Sequence, residues 1–103
     1  MNLNIIFNAP SLERNKCFSI IQDVNDHLKE LSGQLGKIES AEIKLYDTME
    51  DHTYNNKAAL ITIKFESEYF IEYKVAGRWD KVITDAFHGL MAKGIIRNLY
   101  HHA

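Results

Sequence analysis

The sequence lacks the residues that mark several classes of protein. Its 103 residues contain one cysteine and one proline, so a disulfide within the chain and a proline-rich linker are both excluded. The amino terminus has no basic segment followed by an apolar run, and no apolar run approaches the roughly 20 residues that cross a bilayer. The sequence therefore predicts one cytoplasmic domain over residues 1–103, with no membrane contact.

An excess of positive charge is also absent. Twelve Lys and Arg against 14 Asp and Glu give a net charge of -2, unlike the basic balance of most dedicated nucleic-acid binders. The halves differ, because residues 1–51 hold five basic and nine acidic side chains (-4), whereas residues 52–103 hold seven and five (+2). A modest basic surface is predicted for the second half, although an ordinary solvated surface explains the same charges.

Nothing in the sequence indicates catalysis. The histidines at positions 27, 52, 88, 101 and 102 have no Cys or carboxylate at metal-ligand spacing, and those at 27 and 88 are expected on solvated helix faces. Cys17 belongs to the apolar stripe of a helix and lies about 15 Å along it from His27, too far for an activated nucleophile. Asp80 and Asp85 are explained by the preference of carboxylates for a helix amino terminus. We expect no enzyme, no cofactor, no metal site and a buried, structural Cys17.

The alternation of hydrophobic periods predicts six elements. They are a strand at residues 2–8, a helix from an N-cap at Ser11 to Gly33 or Gly36, strands at 38–47, 57–65 and 69–75, and a helix from Trp79 toward Leu99. Residues 47–56 are acidic and are expected to form an exposed, mobile loop. Gly89 and Gly94 in the second helix indicate either a close backbone approach or a break near Gly94, and we favour a frayed end. The order predicts an α+β, β-α-β-β-β-α two-layer sandwich with both helices on one face of a four-stranded sheet.

The predicted pairing of the last two strands rests on matching apolar residues across them. A three-residue loop over residues 66–68 pairs Ile63 with Ile71 and makes each inward pair apolar. In that register the outer face of the sheet exposes Leu60 and Phe70.

Several local strings resemble the ribosome hibernation-promoting factor family, also described as ribosome-associated translation inhibitors or sigma-factor modulation proteins. They are the strand residues 56–64 (NKAALITIK), residues 69–75, and the helix start at 79–86 (WDKVITDA) followed by Leu90. The resemblance covers nearly the whole chain and corresponds to the short form of the family. It implies a fold similar to a double-stranded RNA-binding domain with an extra amino-terminal strand.

This resemblance also implies a function. Members of the family bind the small ribosomal subunit in the channel for messenger and transfer RNA and so inhibit translation during stress. The basic residues that would contact ribosomal RNA are Lys74, Arg78, Lys81, Lys93, Arg97, Arg14, Lys16 and Lys29. The second helix departs from the family pattern at Gly89 and Ala92, where basic residues are expected. The alternative is a protein-interaction module that forms a homodimer through its outer sheet face, with reduced or lost ribosome binding.

Overall fold

The computed structural model describes residues 1–50 and 53–101 and confirms the predicted α+β architecture. The elements are β1 (Asn2–Asn8), α1 (Arg14–Leu35), β2 (Ser40–Glu50), β3 (Thr53–Phe65), β4 (Glu68–Ala76) and α2 (Trp79–His101). The sheet order is β1-β2-β3-β4, with β1 parallel to β2 and the other pairs antiparallel. His52 and His102, two of the histidines considered above, lie outside the described residues.

One hydrophobic core joins both helices to the same face of the sheet. Alternate residues of β2 and β3, such as Ile43 and Ile61, are fully buried against α1 and α2. The largest fully buried side chains are Leu28, Ile43, Leu45, Ile61, Ile83, Leu90, Val24 and Val82. Apolar residues recur every second position in the strands and every third or fourth in the helices. Each element therefore has one apolar face, and these faces pack against each other between the two layers.

The predicted loop over residues 47–56 is wrong over most of its length. Strand β2 extends to Glu50 and β3 begins at Thr53, with Asp47 paired with Lys57 across the hairpin. Ser11 does not cap α1, since the N-cap position belongs to Glu13. The Ser11 backbone N–H instead donates to Asp47 Oδ2 at 2.9 Å. The Asp47 carboxylate therefore has hydrogen-bond donors within the fold, at Ser11 and Lys57.

The predicted register of β3 and β4 is also wrong. The connection is a two-residue turn at Glu66 and Ser67, whose φ angles of 50° and 65° are those of a tight hairpin turn. Phe65 therefore pairs with Glu68, and Ile63 pairs with Phe70. Phe70 consequently lies half-buried on the helix side, packed against the core, and not on the outer face.

Helix α2 runs to His101 without the predicted break at Gly94. Gly94 is buried, and a Cβ there would collide with the Leu35 side chain of α1. A Cβ on Gly89 would lie 2.5 Å from Glu72 Cδ of β4. Both glycines therefore let α2 approach its neighbours closely. Cys17, expected in the core, is only half-buried.

Candidate nucleic-acid interface

Two of the predicted RNA-binding lysines share one carboxylate. Glu72 of β4 is 12% exposed and lies 2.8 Å from Lys93 Nζ of α2 and 3.5 Å from Lys74 Nζ. Burial opposes ionisation of this carboxyl, but Lys93 and Lys74 outweigh it and lower the pKa of Glu72. Lys93 also donates to the backbone carbonyl of Ile71 at 2.5 Å. Both lysines therefore have a carboxylate partner within the fold.

Arg97 fastens the end of α2 to the β3–β4 turn. Its Nε donates to Glu68 Oε2 and its Nη2 donates to Glu66 Oε2, both at 2.8 Å. The guanidinium lies 5.4 Å from the centre of the Phe65 ring, and the side chain is 13% exposed. The hydrogen bonds that Arg97 donates to Glu68 and Glu66 raise the pKa of Arg97. Arg97, which is one of the predicted RNA-binding residues, therefore forms ion pairs within the fold.

Lys81 and Arg78 form ion pairs in full contact with solvent. Lys81 Nζ lies 2.8 Å from Asp85 Oδ2 one turn along α2, and Arg78 Nε lies 3.3 Å from Asp80 Oδ1. The hydrogen bond from Lys81 lowers the pKa of Asp85. Exposed pairs contribute little to stability, so Lys81 and Arg78 exchange a carboxylate for a phosphate at small cost.

The predicted cations of α1 differ from those of α2. Arg14, Lys16 and Lys29 are exposed and form no ion pair with any residue that the structure describes. The same is true of Lys37, which follows α1 and was not among the predicted site residues. These four side chains are the basic groups most open to an anionic partner.

A groove of about 820 Å³ separates the amino-terminal parts of α1 and α2. Lys16 and Arg78 line it, but so do Asp23, Asp26 and Asp80. Basic and acidic side chains are therefore interleaved in this groove. Such a mixed lining attracts a polyanion less than a basic groove would.

Ser11, Lys57 and Trp79, which also line this groove, belong to a polar cluster that sequence reasoning missed. Lys57 Nζ lies 3.3 Å from Asp47 Oδ1, donates to Ser11 Oγ at 3.0 Å, and sits 5.7 Å from the centre of the Trp79 ring. The Asp47 side chain is 7% exposed. Burial opposes its ionisation, but hydrogen bonds from Ser11 and Lys57 outweigh this effect and lower the pKa of Asp47. The cluster joins the β1–α1 connection to β2, β3 and the start of α2.

His27 is not the solvated side chain that its position suggested. Its ring stacks on Phe87 of α2 at 4.9 Å between centroids and 6° between planes, and Nε2 lies 3.6 Å from Asp23 Oδ1. His88 is exposed. Within residues 1–50 and 53–101, no three His, Cys, Asp or Glu side chains are grouped to hold a metal ion. In the same part of the chain, neither helix is apolar enough over its length to cross a membrane.

The outer sheet face bears exposed apolar side chains, with members different from those predicted. Tyr69, Ile71 and Tyr73 of β4 are 63%, 53% and 50% exposed. Leu60 is half-buried beside Tyr73. The Tyr73 ring lies 6.5 Å from that of Tyr46, whose pKa is raised by burial and by its hydrogen bond with Tyr73. This face is open in the described chain.

Comparison with solved structures finds the same fold in other proteins. A ribosomal subunit interface protein from Coxiella burnetii superposes with a TM-score of 0.76 at 9% identity, over 96% of this chain and 99% of that chain. The amino-terminal domain of Protein Y from Thermus thermophilus superposes with a TM-score of 0.69 at 17% identity, over 91% and 96%. Comparisons with protein-family models and with curated proteins give no match. The predicted α+β fold of four strands and two helices is therefore shared with these solved structures.

Proposed function

We propose that this protein is a ribosome-associated module of the hibernation-promoting type. It binds RNA of the small ribosomal subunit, occupies the channel used by messenger and transfer RNA, and thereby inhibits translation under stress. The observation that carries the proposal is the likeness of fold to a ribosomal subunit interface protein over nearly the full length of both chains. Steric occupancy requires no catalytic group, cofactor or metal, so the protein would act by binding alone.

The distribution of charge defines how such binding would work. Arg14, Lys16 and Lys29 are free to neutralise phosphates at once, and each neutralised phosphate releases counterions. Arg78 and Lys81 contribute by exchanging exposed carboxylates. The remaining predicted cations must first break ion pairs that are partly buried within the fold; they are Lys74, Lys93 and Arg97. We therefore expect weaker binding, with a shallower salt dependence, than a uniformly basic domain would show, because fewer phosphates are neutralised.

Fractionation of ribosomes from starved cells that express the tagged protein tests this proposal. At low salt we expect the protein to sediment with small subunits or with whole ribosomes. A charge-reversed variant, Arg14→Glu combined with Lys29→Glu, should shift to the soluble fractions. Absence of the unaltered protein from all ribosomal fractions would refute the proposed function.

The outer sheet face supports a second candidate, self-association into a homodimer. Three large exposed side chains on one strand are unusual for a surface that meets only water, and together they form an apolar patch. The corrected register makes Ile71 and Tyr73, not Phe70, the residues to alter. Light scattering should show a dimer that Ile71→Ser combined with Tyr73→Ser dissociates. A monomer at every concentration would exclude self-association and leave ribosome binding untouched.

A further inference from the structure

The grooves on the two sides of helix α1 differ in their charged residues. Asp23 and Asp26 line the groove next to α2, beside Trp79. On the other side of α1, a second groove of about 530 Å³ is lined by Asn25, Lys29 and other residues and by no carboxylate. One side of the helix therefore faces a groove of mixed charge, and the other faces a groove whose only charged side chains are lysines.

The side away from the acids forms a continuous surface, which we call the basic stripe. It consists of Arg14, Phe18, Asn25 and Lys29, with Lys37 just beyond the helix. At about 100° per residue, the four helical positions fall within an arc of about 60°. At 1.5 Å per residue they extend over about 22 Å. Within the described chain, the three cations of this surface have no carboxylate partner.

Phe18 is the most exposed large hydrophobic side chain that the structure describes, at 80%. It occupies a helix position outside the core stripe, so packing within this fold does not account for it. A flat aromatic ring between basic side chains is the arrangement by which proteins stack unpaired bases while neutralising the adjoining phosphates. The neighbours of Phe18 on the stripe are polar or charged, whereas the centre of a protein-protein contact is apolar.

We infer that the basic stripe of α1 binds an unpaired segment of RNA. Phe18 stacks on a base and Arg14 contacts a phosphate near it, whereas Lys29 and Lys37 contact phosphates farther along the same strand. The inference rests on the proposed function for the choice of RNA as partner, and it assigns the contact to the side of α1 that faces away from α2. The mixed-charge groove between the helices then contributes less to RNA binding than the basic stripe does.

The stacking contact is tested with a fluorescently labelled single-stranded oligoadenylate of about 12 nucleotides. Anisotropy titrations at low salt should show binding that Phe18→Ala weakens about ten-fold, since one base stacked on an aromatic side chain contributes about 1–3 kcal/mol. Phe18→Leu, which keeps apolar area without a ring, should lose as much, whereas Phe18→Trp should retain binding. Leu99→Ala is the matched control, because Leu99 is a 67% exposed hydrophobic residue on α2.

The phosphate contacts are tested by the salt dependence of the same titration. Lys29→Gln and Lys37→Gln should each reduce the slope of log K against log salt by about 0.7, as expected for one phosphate of a single strand. Lys44→Gln is the charge control, since Lys44 lies on the sheet and pairs with Glu42. Equal effects of all three substitutions would overturn the assignment of these contacts to the stripe.

The outcomes separate this inference from the proposed function. If the unaltered protein sediments with ribosomes and Phe18→Ala sediments equally well, the inference fails and the proposed function stands. If oligoadenylate binding depends on Phe18 but the protein never sediments with ribosomes, the stripe is an RNA surface and the proposed function fails. Preference for polyglutamate over oligoadenylate, again dependent on Phe18, would assign the stripe to an acidic protein and overturn the inference.

Discussion

Replacement of Asp47 by alanine removes the carboxylate that joins the β1–α1 connection to the β2–β3 hairpin. Asp47 accepts hydrogen bonds from the Ser11 backbone N–H at 2.9 Å and from the Ser11 hydroxyl at 2.5 Å, and it faces Lys57 Nζ at 3.3 Å. Asp47→Ala leaves the Lys57 ammonium, 15% exposed, without its counter-ion. The Ser11 groups are exposed and return to water, so they account for little of the cost.

The expected loss of unfolding free energy is about 2–3 kcal/mol, the range for a largely buried charge that loses its hydrogen-bonded partner while keeping other contacts. For a domain of this size the loss corresponds to a fall in Tm of about 10–15 °C. Thermal and urea unfolding, followed by circular dichroism, provide the measurement. Asp80→Ala is the control, because its 73% exposed carboxylate faces a 72% exposed arginine. It should cost at most about 1 kcal/mol, the contribution of a carboxylate at a helix amino terminus.

The pH dependence has a definite sign. The pKa of Asp47 in the folded protein is lowered from its ordinary value of 3.8, so its stabilisation is complete above that pH. The contribution is lost as the pH falls through the lower folded pKa. The difference in stability between the unaltered protein and Asp47→Ala should therefore be constant at neutral pH and shrink in acid. Equal stability of the two proteins at pH 7 would refute the structural role of the cluster.

Three further predictions follow from single side chains. Glu72→Gln releases Lys74 and Lys93, so titration with single-stranded RNA should show tighter binding and a steeper salt dependence; unchanged binding would mean that neither lysine reaches RNA. Leu28→Ala, which truncates a 2% exposed side chain between helix and sheet, should cost about 3–4 kcal/mol in urea unfolding. Ser67→Gly removes the strain of a φ of 65° in the hairpin turn and should raise stability by about 0.5–1 kcal/mol in the same assay; a loss would contradict the turn assignment.

The layers of the fold are predictable because each element shows one apolar face to the core. Period two in β2 brings Ile43 and Leu45 to the same buried surface, and the three-four spacing of α1 does the same for Val24 and Leu28. Local periodicity carries this information without any knowledge of distant contacts. The order of the strands then follows from short connections and the one helical crossover.

The β3–β4 register was not predictable by matching apolar residues, because acids on the helix side of β4 are neutralised from α2. Glu68 is paired with Arg97, and Glu72 is paired with Lys93, in each case more than 20 residues away. The hairpin at residues 47–56 was missed for a similar reason, since Ser11, 36 residues before Asp47, supplies its hydrogen bonds. Pairing across such separations leaves no periodic signal.

The candidate site was predictable in its residue types but not in its partners. The i, i+4 spacing of Lys81 and Asp85 on a helix does indicate their ion pair. The partners of Lys74 and Arg97 depend on the true strand register. The position of Phe18 outside the apolar stripe of α1 is visible in the sequence and is the one signal that could have marked the basic stripe beforehand.

Competition with transfer RNA on purified small ribosomal subunits tests the central claim most directly. At low salt, increasing amounts of the unaltered protein should displace labelled transfer RNA from the subunit, and the displacement should weaken steeply as salt is raised. Arg14→Glu combined with Lys29→Glu should displace far less at the same concentration. Transfer RNA that remains bound at saturating protein, or displacement unaffected by salt and by these substitutions, would contradict the account.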